Sequence, residues 1–153
     1  MKNQPLINFL NQQLANQFVM YVKLHRYHWF VKGRHFFTLH DLFQKMYEET
    51  AAHLDKLAER ILMIYGKPLA TMTKYVKEAT LTEANADDEE FEIMRQLRTD
   101  FEQIMEEIKQ NGYKLVQECN DKPTEDLMMT LVATYEKYIW MLQAWERENR
   151  SSS

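Results

Sequence analysis

Thr38-Leu39-His40-Asp41-Leu42-Phe43-Gln44-Lys45-Met46-Tyr47-Glu48-Glu49-Thr50-Ala51-Ala52-His53-Leu54-Asp55-Lys56-Leu57-Ala58-Glu59-Arg60-Ile61-Leu62-Met63-Ile64-Tyr65 carries two patterns at once. Leu39, Phe43, Met46, Leu54, Leu57, Ile61 and Ile64 fall at helical spacing and form one apolar stripe. His40, Gln44, Asp55 and Glu59 lie within roughly 100° of arc on a polar side, at about 100° per residue. The stretch has no Gly or Pro to break it. It predicts one long helix over 38–65, with Thr38 as its N-cap and Gly66 just past its end.

Three further long helices flank this one. Over 6–31, Ile7, Leu10, Leu14, Phe18, Tyr21, His25 and His28 repeat every three or four residues, and Gly33 marks the stop. A third helix begins near Asp87 or Asp88, where consecutive acids suit the positive end of a helix dipole. Its stripe is Phe91, Met94, Leu97, Phe101, Ile104, Ile108 and Leu115, with Gly112 a weak point. The fourth starts around Pro123-Thr124-Glu125 and reaches about Glu148, burying Leu127, Leu131, Tyr135, Tyr138, Leu142 and Trp145. Residues 66–86 are too many for a tight turn and hold a short helix, 72–78, capped by Thr71. Two short links and one long middle link predict an all-α, ferritin-like four-helix bundle with a short extra helix in the long connection.

The polar side of the second helix carries the chemistry. Imidazole and carboxylate together suit iron, manganese or zinc, whereas calcium takes oxygen alone. His40 and Asp55 are about 22 Å apart along a helix rising 1.5 Å per residue, while a metal–ligand bond is only about 2 Å. One helix therefore cannot bring both ends to one ion. Two copies packed antiparallel about a two-fold axis near Glu48–Ala51 can, giving two identical sites per dimer. Small Ala51 and Ala52 permit close approach, and His28, just before the Gly33 turn, falls beside His40. The competing reading makes Asp55 and Glu59 a solvated face paired with Lys56 or Arg60, and the histidines core residues bonded to backbone. Spacing alone leaves both open.

Composition narrows the classes. With 153 residues there is room for one domain, over 1–150, and Ser151-Ser152-Ser153 reads as a disordered tail. Three Gly and three Pro are too few for sheet-and-turn architecture. With a net charge of −4, nucleic acid is not the default partner. Met1-Lys2-Asn3-Gln4-Pro5 is no secretory signal, no apolar run reaches membrane-spanning length, and the single Cys119 fits a reducing cytoplasm. Ten Met and the many aromatics at helical spacing are core packing. A metal pair inside one bundle needs Glu-x-x-His on two helices. No His here has Glu three residues before it.

At these residues the chain resembles the Dps-type mini-ferritins, particularly the forms common in low-GC Gram-positive bacteria. The likeness rests on Lys23-Leu24-His25-Arg26-Tyr27-His28-Trp29-Phe30-Val31-Lys32-Gly33 followed by Phe36-Phe37-Thr38-Leu39-His40. It continues through Asp55-Lys56-Leu57-Ala58-Glu59-Arg60-Ile61-Leu62, Lys67-Pro68-Leu69-Ala70-Thr71-Met72 and Tyr138-Ile139-Trp140-Met141, and so runs nearly the whole chain. The resemblance implies a cytoplasmic, hollow dodecamer that oxidises Fe(II), preferring hydrogen peroxide to oxygen, and stores Fe(III) mineral against oxidative stress. It implies metal ligation, and ferroxidase catalysis, by His28 and His40 of one subunit with Asp55 and Glu59 of its two-fold mate.

One position departs from the family. An acid usually follows the second histidine by four residues, and here Gln44 stands there, a neutral ligand for a weak second iron position. The resemblance further implies an acid-lined pore admitting iron at a three-fold axis, matching Asp121 and Asp126 with Glu125 beside them. Acids such as Glu48 and Glu49 are candidates to nucleate mineral. Trp29 is expected to pack near the site and His25 to be a hydrogen-bonded core residue. Some family members coat DNA through a Lys-rich N-terminal arm; only Lys2 precedes the first helix here, so strong DNA binding is not expected. A DNA-binding stress protein and a non-catalytic helical scaffold are the remaining alternatives.

Overall fold

A computed structural model of the chain describes residues 3–85 and 88–150. Its elements are α1 (Gln4–Phe30), α2 (Phe36–Met63), α3 (Met72–Glu78), α4 (Glu90–Glu107), a π-helical turn (Ile108–Gly112), α5 (Tyr113–Glu118) and α6 (Lys122–Arg150). The third sequence-predicted helix is thus α4, the π turn and α5 run together. The weak point at Gly112 is that turn. A Cβ there would lie 2.9 Å from Met128 Sδ and from Phe9 Cε2, so the backbone passes where only hydrogen fits.

Cross-links fix the direction of each helix. Lys32 N–H donates to Asp88 O (2.9 Å) and Glu90 N–H to Lys32 O (3.1 Å), so α4 starts beside the end of α1. At the opposite end, Arg60 donates to Asp121 (3.2 Å) and to Thr124 Oγ1 (2.8 Å), joining the end of α2 to the start of α6. Hence α2 and α4 run the same way, and the connection between them must travel the length of the bundle. Asn16 is fully buried and pins that connection, its Oδ1 accepting from Thr80 N–H and Leu81 N–H at 2.8 and 3.1 Å. Phe18 stacks on Tyr75 of α3 at 4.1 Å. Lys23 adds a buried bridge to Asp100 (2.6 Å) and donates to Thr82 O (2.9 Å). Burial pushes the Asp100 carboxyl up, against the pull of Lys23.

The core follows the apolar stripes: Leu10, Leu14, Phe43, Met46, Leu57, Leu97, Phe101, Ile104, Tyr135 and Leu142 are all within 1% of complete burial. Each such side chain contributes about 1.5–3 kcal/mol on leaving water. Among the described residues no helix is long and apolar enough to cross a membrane.

Three expected boundaries shift. Position N-cap of α2 is His35, not Thr38, because Phe36 and Phe37 already open the helix and Phe36 stacks on His40 at 5.1 Å. Asp88 does not start α4: it is buried and holds Arg26 through two bonds (3.0 and 3.1 Å), while Glu89 caps the helix by accepting from Phe91 N–H. Asp87, the other expected start, and the Ser151–Ser153 tail lie outside the described residues. Finally, Tyr65 (φ 70°) rather than Gly66 takes the left-handed conformation that ends α2. Thr71 caps α3 as expected, its Oγ1 accepting from Lys74 N–H (3.3 Å).

Candidate metal centre

His28 lies near the end of α1 and His40 in the first turns of α2, on either side of the connection at 31–35. Their rings stack at 3.7 Å and 14°. Each Nδ1 lies 2.7 Å from the other residue's backbone carbonyl. A carbonyl oxygen only accepts, so each Nδ1 must carry the hydrogen and donate it. In the neutral ring that leaves a lone pair on each Nε2, the state in which imidazole ligates a transition metal. Backbone bonding of the histidines and metal ligation are therefore compatible: one nitrogen is committed and the other is left over. Phe36 covers His40, and Tyr47 meets His28 edge-on at 5.4 Å and 86°.

The carboxylates are elsewhere. Asp55 and Glu59 are exposed toward the other end of α2, which runs unbroken for 28 residues. Among the described residues of the chain neither makes a hydrogen bond or ion pair, and no group of three or more His, Cys, Asp or Glu converges. The pairing of Glu59 with Arg60 is not found, since Arg60 is spent on Asp121 and Thr124. Ala51 and Ala52, between the two groups, are half-buried and exposed.

Gln44 is half-buried, and its amide N–H donates to Glu48 Oε1 (2.9 Å), which turns the neutral side chain along the helix. Glu49, a candidate for mineral nucleation, instead accepts from the Tyr138 hydroxyl across the bundle. Asp121 caps α6 by accepting from Thr124 N–H (3.0 Å) and pairs with Arg60, so its charge is already used. Asp126 is exposed, with Lys122 at 3.7 Å and Glu125 bonded to the same ammonium at 2.8 Å.

His25 donates from Nδ1 to Tyr21 O (2.8 Å) and stacks on Tyr47 at 3.8 Å. Trp29 packs less than expected: it is 61% exposed, with its ring 5.5 Å from that of His25. Sequence reading missed Tyr47. Its signal was available, for it follows His40 by seven residues, two helical turns, and so returns to the same face.

The ferritin-like domain model matches residues 7–150. General stress protein 20U of Bacillus subtilis is 44% identical over 94% of this chain and 98% of its own length. The crystal structure of a Dps protein from Bacillus brevis superimposes with a TM-score of 0.92, at 39% identity over 94% of this chain and 96% of that one. The chain belongs to the Dps-type mini-ferritins. A second structure, Dps from Vibrio cholerae O1, described as a member of a broad superfamily of ferritin-like diiron-carboxylate proteins, superimposes at 0.90, with 33% identity over 94% of this chain and 90% of that one. Membership carries the all-α, ferritin-like fold. In this mini-ferritin His28 and His40 lie by the start of α2, and Asp55 and Glu59 lie toward its other end.

Proposed function

We propose that this mini-ferritin is a cytoplasmic ferroxidase, a single domain over 1–150. It oxidises Fe(II) with hydrogen peroxide at sites shared between two copies and deposits Fe(III) mineral inside a dodecameric shell. The observation that carries this reading is the pair His28 and His40, each with Nδ1 tied to backbone and Nε2 left over, opposite two unpaired carboxylates on one rigid rod. Antiparallel pairing of α2 with its copy brings His28 and His40 of one chain to Asp55 and Glu59 of the other. Exposed Trp29, Phe30, Leu62 and Met63 supply apolar surface that association would cover.

The donor set fits the substrate. Neutral imidazoles and carboxylates bind Fe(II) while leaving coordination positions for the oxidant, and the carboxylates favour the extra positive charge of Fe(III). Asp126 and Glu125 attract cations at the pore, with Lys122 diluting the field. Gln44 offers at most a neutral amide oxygen, so one iron is held well and a second weakly.

The test is Fe(II) with peroxide, following Fe(III) formation against buffer and iron retained after gel filtration. A scaffold would neither accelerate oxidation nor keep iron. In the same assay Gln44→Asp should raise the initial rate roughly three- to tenfold, about 1 kcal/mol of barrier; an unchanged or lower rate counts against the weak second position. DNA should not be retarded in a gel at moderate salt. Arg98 of α4 and Arg150 at the end of α6 both pair with Glu146, which offsets the positive charge this end of the chain offers to phosphates.

A further inference from the structure

Four of the five histidines commit a ring nitrogen to an acceptor in the chain: His25 to Tyr21 O, His28 to His40 O, His40 to His28 O, and His35 to Glu90. His53 does not. It sits on the core-facing stripe of α2 between Thr50 and Leu57, only 6% exposed, and among the described residues it makes no hydrogen bond or ion pair. A buried polar group left without a protein partner takes its hydrogen bonds from an ordered water or its contacts from an ion. Burial holds the imidazole below its ordinary value, outweighing the opposite pull of Glu49. At neutral pH the ring is therefore uncharged and keeps a lone pair for a ligand.

The surroundings of that ring favour a cation. Glu49 precedes His53 by four residues, one turn along the same face, the spacing at which two side chains of a helix grip one metal ion. Glu49 Oε1 accepts from the Tyr138 hydroxyl of α6, and its other oxygen has no partner among the described residues. Tyr138 is buried; burial and its bond to Glu49 hold the phenol well above its ordinary range, so it stays protonated and donates. A ligating carboxylate held by such a second hydrogen bond is the usual support of a metal site. Exposed Lys56 acts on His53 with the opposite sign and weakens the hold on a cation. The pair is separate from the shared centre. At about 100° per residue, His53 stands about 160° round α2 from Asp55, and Glu49 about 180° from His40.

We propose that Glu49 and His53 form a second site for a divalent transition-metal ion, zinc above all, within a single chain, with Tyr138 fixing the carboxylate. One imidazole and one carboxylate suit zinc, and water completes the tetrahedron. The ion is tied through Glu49 to Tyr138, so it joins the middle of α2 to α6. The site needs no second copy, and it stands whether or not the shared centre oxidises iron.

The experiment is equilibrium dialysis of the assembled protein against micromolar zinc, with metal counted per chain, in a His28→Ala/His40→Ala background that lacks the imidazoles of the shared centre. That background should keep about one zinc per chain. Adding His53→Gln should weaken binding tenfold or more, and so should Glu49→Gln, whose amide oxygen can still accept from Tyr138. Tyr138→Phe should weaken it about tenfold, the usual effect of removing a group that orients a ligand. Lys56→Gln should tighten it. Anomalous diffraction at the zinc edge from wild-type crystals should place an ion between residues 49 and 53 of one chain, which decides the matter even if the background fails to assemble. Equal zinc binding with and without His53→Gln, or water alone beside His53 in zinc-soaked wild-type crystals, overturns the site.

Discussion

Co-expression of a His28→Ala/His40→Ala chain with an Asp55→Ala/Glu59→Ala chain should return about a quarter of wild-type ferroxidase activity, although either variant alone returns none. The expectation follows from where the side chains lie. Nitrogen donors sit by the connection at 31–35 and oxygen donors toward the far end of an unbroken 28-residue helix. In a dimer of the first variant every site lacks its imidazoles, and in a dimer of the second every site lacks its carboxylates. A mixed dimer has one site missing both halves and one site intact. Random pairing makes half the dimers mixed, so about a quarter of all sites survive in an isologous arrangement. Mass spectrometry of the shells establishes that mixed pairs form. If they form and activity stays at the buffer rate, the shared site is wrong. Activity in the Asp55→Ala/Glu59→Ala protein alone would be equally damaging, since it would mean that one chain suffices.

Periodicity carried the four long helices, the short helix at 72–78 and its Thr71 cap, because a helix face repeats and is legible one residue at a time. The separation of His40 from Asp55 along one helix is equally local, needing only a rise per residue and a bond length. What escaped depends on contacts between distant positions. The pairing of Asp88 with Arg26 spans 62 residues, and it removes Asp88 from the role its place in an acidic run suggested. Thr38 has the right chemistry for an N-cap, but the helix already opens at Phe36, whose ring stacks on His40, and the cap position falls to His35. The bond between Asp121 and Arg60 spans 61 residues and is equally hidden from a local reading. The reciprocal Nδ1 bonds of His28 and His40 belong to the same class: both histidines were visible, but the geometry that assigns their tautomers requires two helices to meet.

Gly33→Ala should destabilise the protein by about 3 kcal/mol or more and weaken iron binding with it. Two independent costs meet at this residue. Its φ is +147°, a conformation that side chains with a Cβ rarely adopt. A Cβ would also lie 2.1 Å from Glu90 Oε2 and 2.3 Å from its Cδ. Glu90 cannot swing away cheaply. Its carboxylate is buried and accepts from His35 Nδ1 (2.8 Å) and His35 N–H (3.3 Å), while its backbone N–H donates to Lys32 O. Displacing it loosens the connection that holds α1 against α2, and His28 and His40 flank that connection. Their paired 2.7 Å bonds leave little room for a shift. At about 2–4 °C per kcal/mol for a chain of this size, thermal unfolding should drop by roughly 6–12 °C. Adding Glu90→Ala removes the clash but not the φ penalty, so the double variant should cost less than the two single changes summed. A Gly33→Ala protein that melts within about 1 °C of wild type and binds iron equally well would show that neither the backbone nor Glu90 constrains this turn.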